Sequence, residues 1–538
     1  MSPRAVFREA LKSLGAAAVC LVVLEGVLRL VYVVRNSAVD YVPLPYVFGH
    51  AYGPVPPWVD GLRLLEPDRQ LIWKGRPNVR RKYVDVFSPV WTERERTDLL
   101  RQLVPRVPES LRANPVWTVS LNSLGFRDDE FPKTKGPSAL RILCIGDSWT
   151  FGANVAQEQA YPRRLRALLE ERFPGASFEV LNLGVLGYSS AQGLELLKGR
   201  GLVMAPDVIL IGFAMNDGSA ADYRDRDLIG HEQRWSSETG GLARSETYKL
   251  MRYLAQRFRF KPKSPSDQLG SIGEYVEAVP EAAAMPDYQK LQPRTRVPLP
   301  EYEGNLAEMI RLARGRGASV ALLYDELAAN SPYRVSLRRV AETEGVPLVD
   351  GYALVAEARG RIERDLEARL DLQPSITGAP APPSADGVNV VFRVYAGDRP
   401  VPKALYIAGT DPAIGENVPN QVALHDDATH GDQRPGDHVW SLAVTLPRKP
   451  VFYVYTNSGA PGKWEGLDVP DIRGFRVDAA NPTDMVYRPI ETFGMVYMQA
   501  DSWHTNSAGY ELIARAVVEI LTRDDRVRRQ VGQRDVRP

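Results

Sequence analysis

Cysteine is nearly absent: the chain of 538 residues holds two, Cys20 and Cys144. The first lies in an apolar N-terminal run and the second in a segment that reads as a buried strand, so no disulfide is expected between them. The fold must stand on its core alone, and cysteine usage leaves the compartment open. An excess of either charge is also missing. With 67 Lys and Arg against 66 Asp and Glu the formal net charge is +1, and the electrostatic footprint of a nucleic-acid binder is lacking. Apolar material is not scarce: 44% hydrophobic and 25% charged residues exclude global disorder and allow a sizeable core. The length suggests roughly two to four domains.

One long hydrophobic run is present. Arg4, Arg8 and Lys12 precede Leu14 to Val34, a stretch close to the ~20 residues that cross a bilayer as a helix. Glu25 and Arg29 interrupt it, but at i,i+4 they can pair on one helix face. The basic flank favours a cytoplasmic N-terminus with everything after Arg35 translocated. A cleaved signal peptide and a soluble amphipathic helix are the alternatives. The run is long for a signal, and no clear small-x-small cleavage site follows. A lipid-modified Cys20 is disfavoured because Val19 is not the small residue expected before it.

Residues 36–137 are rich in proline and aromatics without a sustained period and read as an irregular segment with short strands. From Leu140 the pattern changes. RILCIG, FEVLNLG, PDVILIGFAMND, ASVALLYDE and VPLVDGY read as strands, separated by helical patterns such as YPRRLRALLEERF and NLAEMIRLARGRG. Strands alternating with helices imply an α/β class with a parallel sheet. A polar excursion over about 217–300 interrupts them. QPSITGAPAPPSADG then reads as a linker, and beyond it the period becomes two (VNVVFRVYAG, ALYIAGT, VWSLAVTLP, VFYVYTN, GFRVDA), as in a small antiparallel β-sandwich. Helical pattern returns at NSAGYELIARAVVEILTRD. The organisation expected is an anchor over 1–35, an irregular segment over 36–137, an α/β domain over 138–372 and 480–524, a linker over 373–385, an inserted sandwich over 386–479 and a frayed tail over 525–538.

Four segments fall where open α/β sheets place chemistry, beyond the carboxyl ends of strands. They are Gly146-Asp147-Ser148, Asn182 to Ser190 (NLGVLGYSS), Ala214 to Asp217 (AMND), and Asp501 to His504 (DSWH), just before the last helix. Singly, each is an ordinary turn or cap signal. Together, in this order, they resemble the SGNH (GDSL-type) hydrolases, over roughly 138–350 plus 483–523. The resemblance implies a flavodoxin-like α/β/α fold and a role for each matching residue. Ser148 matches the nucleophile, and its backbone N–H would help bind the oxyanion. Gly187 matches the glycine that donates a second N–H, with Gly184 the less favoured register, and Asn216 the asparagine whose amide completes the hole. His504 matches the general base and Asp501 the carboxylate that orients it.

The chemistry has reasons for these types. A hydroxyl is a weak nucleophile without an adjacent base, and a neutral histidine can take its proton and return it to the leaving alcohol. A carboxylate fixes the imidazole tautomer. No cofactor is required. Ala214 stands where the family often has glycine, and Trp149 where the four-letter motif has leucine. Both changes bear on substrate shape rather than on the reacting groups. NSLGFRDDEF resembles a segment ahead of the catalytic domain in membrane-anchored members, in which Asn122 and Arg127 receive no role. No Gly-x-Ser-x-Gly occurs, so the α/β-hydrolase elbow is unsupported.

In the sandwich, ALYIAGTDPAIGENVPNQVAL resembles the opening of starch-binding (family 20-like) carbohydrate-binding modules. Its turn, Gly415 to Val418, lacks the tryptophan that would stack on a sugar. Glycan binding and a purely structural or partner-contacting sandwich therefore both stay open, with Trp440 expected in the core and Trp464 a second aromatic that could stack. HDDATHGDQRPGDH brings Asp426, Asp427, Asp432 and Asp437 close in sequence as candidate Ca²⁺ ligands. The spacing does not match an EF-hand, and a solvated hairpin is the competing reading. The expectation is thus a single-pass membrane protein with an extracytoplasmic (periplasmic or cell-surface) serine esterase domain. It would remove acetyl or another short acyl group from a carbohydrate-type substrate. An O-acyltransferase acting on cell-envelope glycans and a non-catalytic glycan-binding scaffold are the alternatives.

Overall fold

The computed structural model describes residues 3–43, 56–84, 86, 93–107, 116–132, 134–219, 224–230, 241–259, 295–326, 328, 331–370, 386–396, 404–418, 420–456, 473–477, 485–493, 497 and 504–532. The chain forms two compact units. One comprises Met1–Leu322, Ser336–Val346 and Asp524–Pro538; the other comprises Leu323–Val335 and Pro347–Arg523.

The first unit opens with helix α1 (Pro3–Ala38). Its most apolar stretch, within Val6–Ala38, is unburied. By length and composition it is able to cross a membrane, and a signal sequence passes the same test. The segment expected to be irregular with short strands gathers several of them into a small sheet. Strand β1 (Tyr41–Pro43) runs parallel to β4 (Arg80–Val84), which pairs antiparallel with β5 (Val116–Ser120). Between them β2 (Leu65–Asp68) and β3 (Ile72–Gly75) form a hairpin. Strands of three to five residues are too short for a period of two to show against a Pro-rich background.

Strand β6 (Ala139–Gly146) is buried at every position, as a continuous apolar run at the centre of a parallel sheet must be. One helical turn, α2 (Ser148–Phe151), follows it, then α3 (Tyr161–Arg172) with Leu165, Leu168 and Leu169 buried. Next come β7 (Ser177–Asn182), α4 (Ser190–Leu196), β8 (Val208–Gly212), α5 (Glu246–Arg259), α6 (Leu299–Gly315), β9 (Ser319–Tyr324), α7 (Pro332–Glu344) and β10 (Leu348–Asp350). The five strands are ordered β10-β9-β8-β6-β7, and β6 runs parallel to both β7 and β8. Counted within the sheet this is the flavodoxin-like order, whose strand order reverses between β6 and β8.

Glu25 and Arg29 pair at 2.7 Å, as their spacing requires. The Glu25 carboxylate also accepts from Ser245 Oγ at 2.8 Å and from the N–H groups of Glu246 and Thr247 at 2.9 Å each. It therefore satisfies the open amide end of α5. Arg29 donates to the Arg244 carbonyl at 2.6 Å, and Trp58 packs between Tyr32 and Tyr253 at ring separations of 6.3 and 5.4 Å. At the other end of the chain, residues 525–532 of the expected frayed tail are helical instead (Asp525–Gly532). Asp524 Oδ1 accepts from the N–H groups of Arg526 and Val527, and the Val527 side chain is buried.

In the second unit, β11 (Gly387–Tyr395) pairs antiparallel with β14 (Val439–Pro447) and parallel with β17 (Met485–Thr492). The facing sheet is β13 (Val422–Ala423), β12 (Tyr406–Gly409), β15 (Pro450–Thr456) and β16 (Arg473–Arg476), in that order. Val390, Phe392, Ile407, Val451 and Tyr453 fill the space between the sheets, and Trp440 packs on this core as expected. The sandwich reaches past residue 479, because β17 pairs in parallel with a distant strand that no hairpin signal could announce. Helix α8 (Gly351–Leu370) is tied to β17 through Arg359, which donates to the Thr492 carbonyl at 2.7 Å. Helix α9 (Ser507–Leu521) is capped by Asn506, whose Oδ1 accepts from Ala508 and Gly509 N–H.

Candidate active site

The end of β6 turns directly into α2, placing Ser148 at the first helical position. Asp147 makes that turn. Its Oδ1 accepts from Trp149 N–H at 2.8 Å, an N-cap contact that satisfies one open amide of the short helix. The turn closes at Gly152 in the left-handed region, at φ 79°. There Arg127, fully buried, donates to the carbonyls of Phe151, Gly152 and Val155. The guanidinium also sits 5.2 Å from the Phe151 ring centre and 5.5 Å from that of Trp117. Arg127 thus has a position that the sequence did not reveal: it gathers the carbonyl end of the turn that carries Ser148. Asn122 builds the approach to it, its Oδ1 accepting from Leu124 and Phe126 N–H at 3.0 Å each. Trp149 corrects an expectation about substrate shape. It is fully buried and faces the core, so its size is a packing matter.

Beyond β8, Asn216 stands in the single turn Met215–Gly218. Its Nδ2 donates to Asp147 Oδ2 at 2.6 Å. One hydrogen of the primary amide is spent in this bond and fixes the group, while the second remains to donate elsewhere. The two strands bearing Ser148 and Asn216 flank the point where the strand order reverses, the crevice in which open α/β sheets hold ligands.

The loop after β7 contains both candidate glycines. Gly184 lies against α2, where an added Cβ would come within 2.3 Å of Phe151 N and 2.6 Å of the Thr150 carbonyl carbon. Its own N–H donates to Asn182 Oδ1 at 2.9 Å. Space, not donation, demands glycine there. Gly187 is glycine for a different reason, its φ of 75°, which side chains resist. Its carbonyl accepts from Arg296 Nη1 at 2.7 Å, and the preceding carbonyl, that of Leu186, accepts from Trp73 Nε1 at 3.0 Å.

Arg296, also buried, holds Asp225 through two nitrogens at 3.1 and 2.7 Å and Gln192 Oε1 at 2.8 Å. Neighbouring Asp217 is wholly enclosed and accepts from Ser190 N–H at 3.0 Å. Burial pushes its carboxyl up to about 8, only partly opposed by the Ser190 hydrogen bonds and by Arg296. Neither Trp73 nor Arg296 was marked by the sequence: one sits in the Pro- and aromatic-rich segment and the other at the edge of the polar excursion.

His504 belongs to the second unit, buried just ahead of α9. Asp501 and Trp464 lie outside the described residues. In the sandwich, Asp426, Asp432 and Asp437 each bring a carboxylate oxygen within 4.8 Å of the others. Burial and the carboxylates of Asp437 and Asp426 raise Asp432 to about 6. Asp427, the fourth candidate, is not in this group; it bonds Thr429 and faces His425 Nδ1 at 3.8 Å. The Gly415 turn leaves Val418 half exposed where a stacking aromatic would stand.

Residues 144–378 match the family model of the GDSL-like lipase/acylhydrolase family. This stretch holds Ser148, Gly187 and Asn216 and ends before the sandwich and His504. The domain is therefore of a GDSL-like family whose chemistry is that of an esterase or hydrolase. No curated protein matches the chain. Among solved structures it is similar to TesA, at 19% identity over 39% of this chain and 76% of that one, with a TM-score of 0.23. It is similar to a variant of an acetyl xylan esterase from Geobacillus stearothermophilus, at 16% identity over 42% and 82%, with a TM-score of 0.24. A hydrolase from the metagenome of Lake Arreo, Spain, shares 17% identity over 40% and 78%, with a TM-score of 0.23.

Proposed function

We propose that this chain is a serine esterase that removes short acyl groups, acetyl foremost, from a carbohydrate-type alcohol. The observation that carries the reading is the convergence on Asp147. One carboxylate caps the turn that presents Ser148 and grips the amide of Asn216, so a hydroxyl and a hydrogen-bond donor are fixed together at the sheet's switch point.

In this reading Ser148 Oγ attacks the ester carbonyl while His504 takes its proton, with Asp501 holding the imidazole. The carbonyl oxygen becomes an oxyanion received by the N–H groups of Ser148 and Gly187 and the free hydrogen of the Asn216 amide. Collapse expels the alcohol, which leaves with the proton from the imidazolium. Water, deprotonated by the same histidine, then attacks the acyl-Ser148 ester, releasing the acid and restoring the serine. The carbohydrate component rests on the likeness of the sandwich's opening strands to a sugar-binding module. Helix α1 serves as a membrane anchor with the domain on the extracytoplasmic side. That Glu25 and Arg29, inside its apolar run, are bonded to residues 244–247 of the folded domain supports retention of this helix over its cleavage.

The test is hydrolysis of p-nitrophenyl acetate by the full-length protein in detergent micelles, compared with Ser148→Ala and His504→Ala. Activity lost in both variants supports the esterase. A wild type that hydrolyses nothing yet moves acetyl onto an added oligosaccharide would establish an acyltransferase instead. Acetate release from acetylated oligosaccharides, set against simple alkyl acetates, tests the carbohydrate assignment.

A further inference from the structure

Two carbonyls flank the Cα of Gly187, and each is held by a side chain from a remote part of the first unit. The Leu186 carbonyl takes the indole N–H of Trp73, which is 113 positions away. The Gly187 carbonyl takes the guanidinium of Arg296, which is 109 positions away. The two side chains support each other, with the Arg296 guanidinium carbon 5.3 Å from the centre of the Trp73 ring. Tyr188 locks the tryptophan in return, its hydroxyl donating to the Trp73 carbonyl at 2.7 Å and its ring lying edge-on to the indole. Gln192 ties the same hairpin down by donating to the Leu71 carbonyl at 2.7 Å.

The geometry of the peptide unit gives this clamp its meaning. In a trans peptide the C=O and N–H point in opposite directions within one plane. A donor that seizes the Leu186 carbonyl therefore orients the Gly187 N–H of the same plane toward the far side. The next plane is held at both of its groups, the Gly187 carbonyl by Arg296 and the Tyr188 N–H by the Val185 carbonyl at 3.2 Å. Of the four polar groups in the two planes, only the Gly187 N–H has no partner among the described residues. Glycine at positive φ is the most freely rotating backbone position in the loop, so without these restraints the donor would wander. Hydrogen bonding at the Leu186 oxygen also polarises the amide and makes its N–H a better donor.

We infer that Trp73 and Arg296 are positioning residues of the oxyanion site, acting through the Leu186–Gly187 and Gly187–Tyr188 peptides rather than by touching substrate. The inference rests on the reading of Gly187 as an oxyanion donor. It makes the β2–β3 hairpin part of the catalytic apparatus and not a spacer leading up to it.

The test uses full-length protein in detergent micelles with Trp73→Phe, which removes the N–H and keeps an aromatic ring. A second variant carries benzothienylalanine at position 73, which keeps the bicyclic shape and lacks only the N–H. Active sites are counted by the p-nitrophenol burst, and n-butylboronic acid serves as the tetrahedral, oxyanion-bearing probe. In both variants kcat per titrated site falls roughly tenfold with KM within about twofold of wild type, less than the 10²–10³ lost when a donor is removed outright. The inhibition constant of the boronic acid weakens by the same factor. If kcat and the boronic acid constant are unchanged in the benzothienyl variant, the positioning role is overturned, even if Trp73→Phe lowers activity and Tm together. If wild type fails to hydrolyse esters, or Ser148→Ala stays active, the esterase reading falls and the inference falls with it. The two failures are thus distinguishable.

Discussion

Asn216 and Asp147, 69 positions apart in sequence, meet at 2.6 Å. The contact joins the loops after two neighbouring strands, and its polarity matters. Asp147→Asn would place an amide where the Asn216 amide needs an acceptor, while Oδ1 can still cap Trp149. We expect a kcat loss of roughly ten- to a hundredfold with little change in KM, since Ser148 keeps its turn and only the aim of Asn216 changes. Asn216→Ala should cost more, roughly 10²–10³ in kcat. Steady-state kinetics on p-nitrophenyl acetate check both, and a KM effect without a kcat effect would contradict them.

Arg127 should prove structural first and kinetic second. Its guanidinium satisfies three carbonyls around the end of α2, and Arg127→Met leaves them buried and unbonded. A stability loss of about 2–4 kcal/mol is expected, read from the midpoint of urea unfolding. A midpoint within error of wild type would show that other groups hold that turn.

The carboxyl of Asp217 titrates near 8 when folded, against an ordinary 3.8. A folded pKa raised in this way means that the folded state holds the proton more tightly. The contribution is fully present below about pH 4 and is lost as pH rises through 8, with a slope of up to about 1.4 kcal/mol per pH unit. Tm should therefore fall between pH 5 and 9 more steeply in wild type than in Asp217→Asn, whose amide imitates the protonated acid. Equal slopes in a thermal-shift series would remove Asp217 from the account.

Glu25 caps a helix that lies more than two hundred positions further along the chain. Glu25→Ala should cost about 1 kcal/mol, the usual value of an N-cap. It should also speed hydrogen exchange at the amides of Glu246 and Thr247 while leaving those of β6 alone. Exchange at 246 and 247 unaltered by the substitution would argue that the cap is idle.

The sequence made the α/β sheet legible because its strands are mostly apolar and are closed by turn signals. Ser148, Asn216 and the two glycines stood at those closures and could be read from them. Trp73, Arg127 and Arg296 could not, because each acts on backbone carbonyls far along the chain. A carbonyl has no spelling in the sequence, so no spacing betrays its partner. Gly184 and Gly187 look alike as letters and separate only in space, one excluded from bearing a side chain by α2 and the other by its φ. The parallel pairing of β17 with β11 escaped for a related reason: antiparallel neighbours announce themselves with a tight turn, and parallel ones do not.

The bond from Glu25 to helix α5 has one more consequence, a matter of height. Residues from Glu25 to Ala38 rise about 20 Å at 1.5 Å per residue, and the cap attaches the start of that stretch to the folded domain. Ahead of the cap lie Val6 to Leu24, about 28 Å of helix, in which Arg8, Glu9 and Lys12 precede the apolar residues that begin at Leu14. If helix α1 anchors the chain as proposed, this cap leaves the domain little slack with which to roam. On the anchor reading it would work at a fixed elevation close to the lipid headgroups, and the esters within its reach would be those held at that plane.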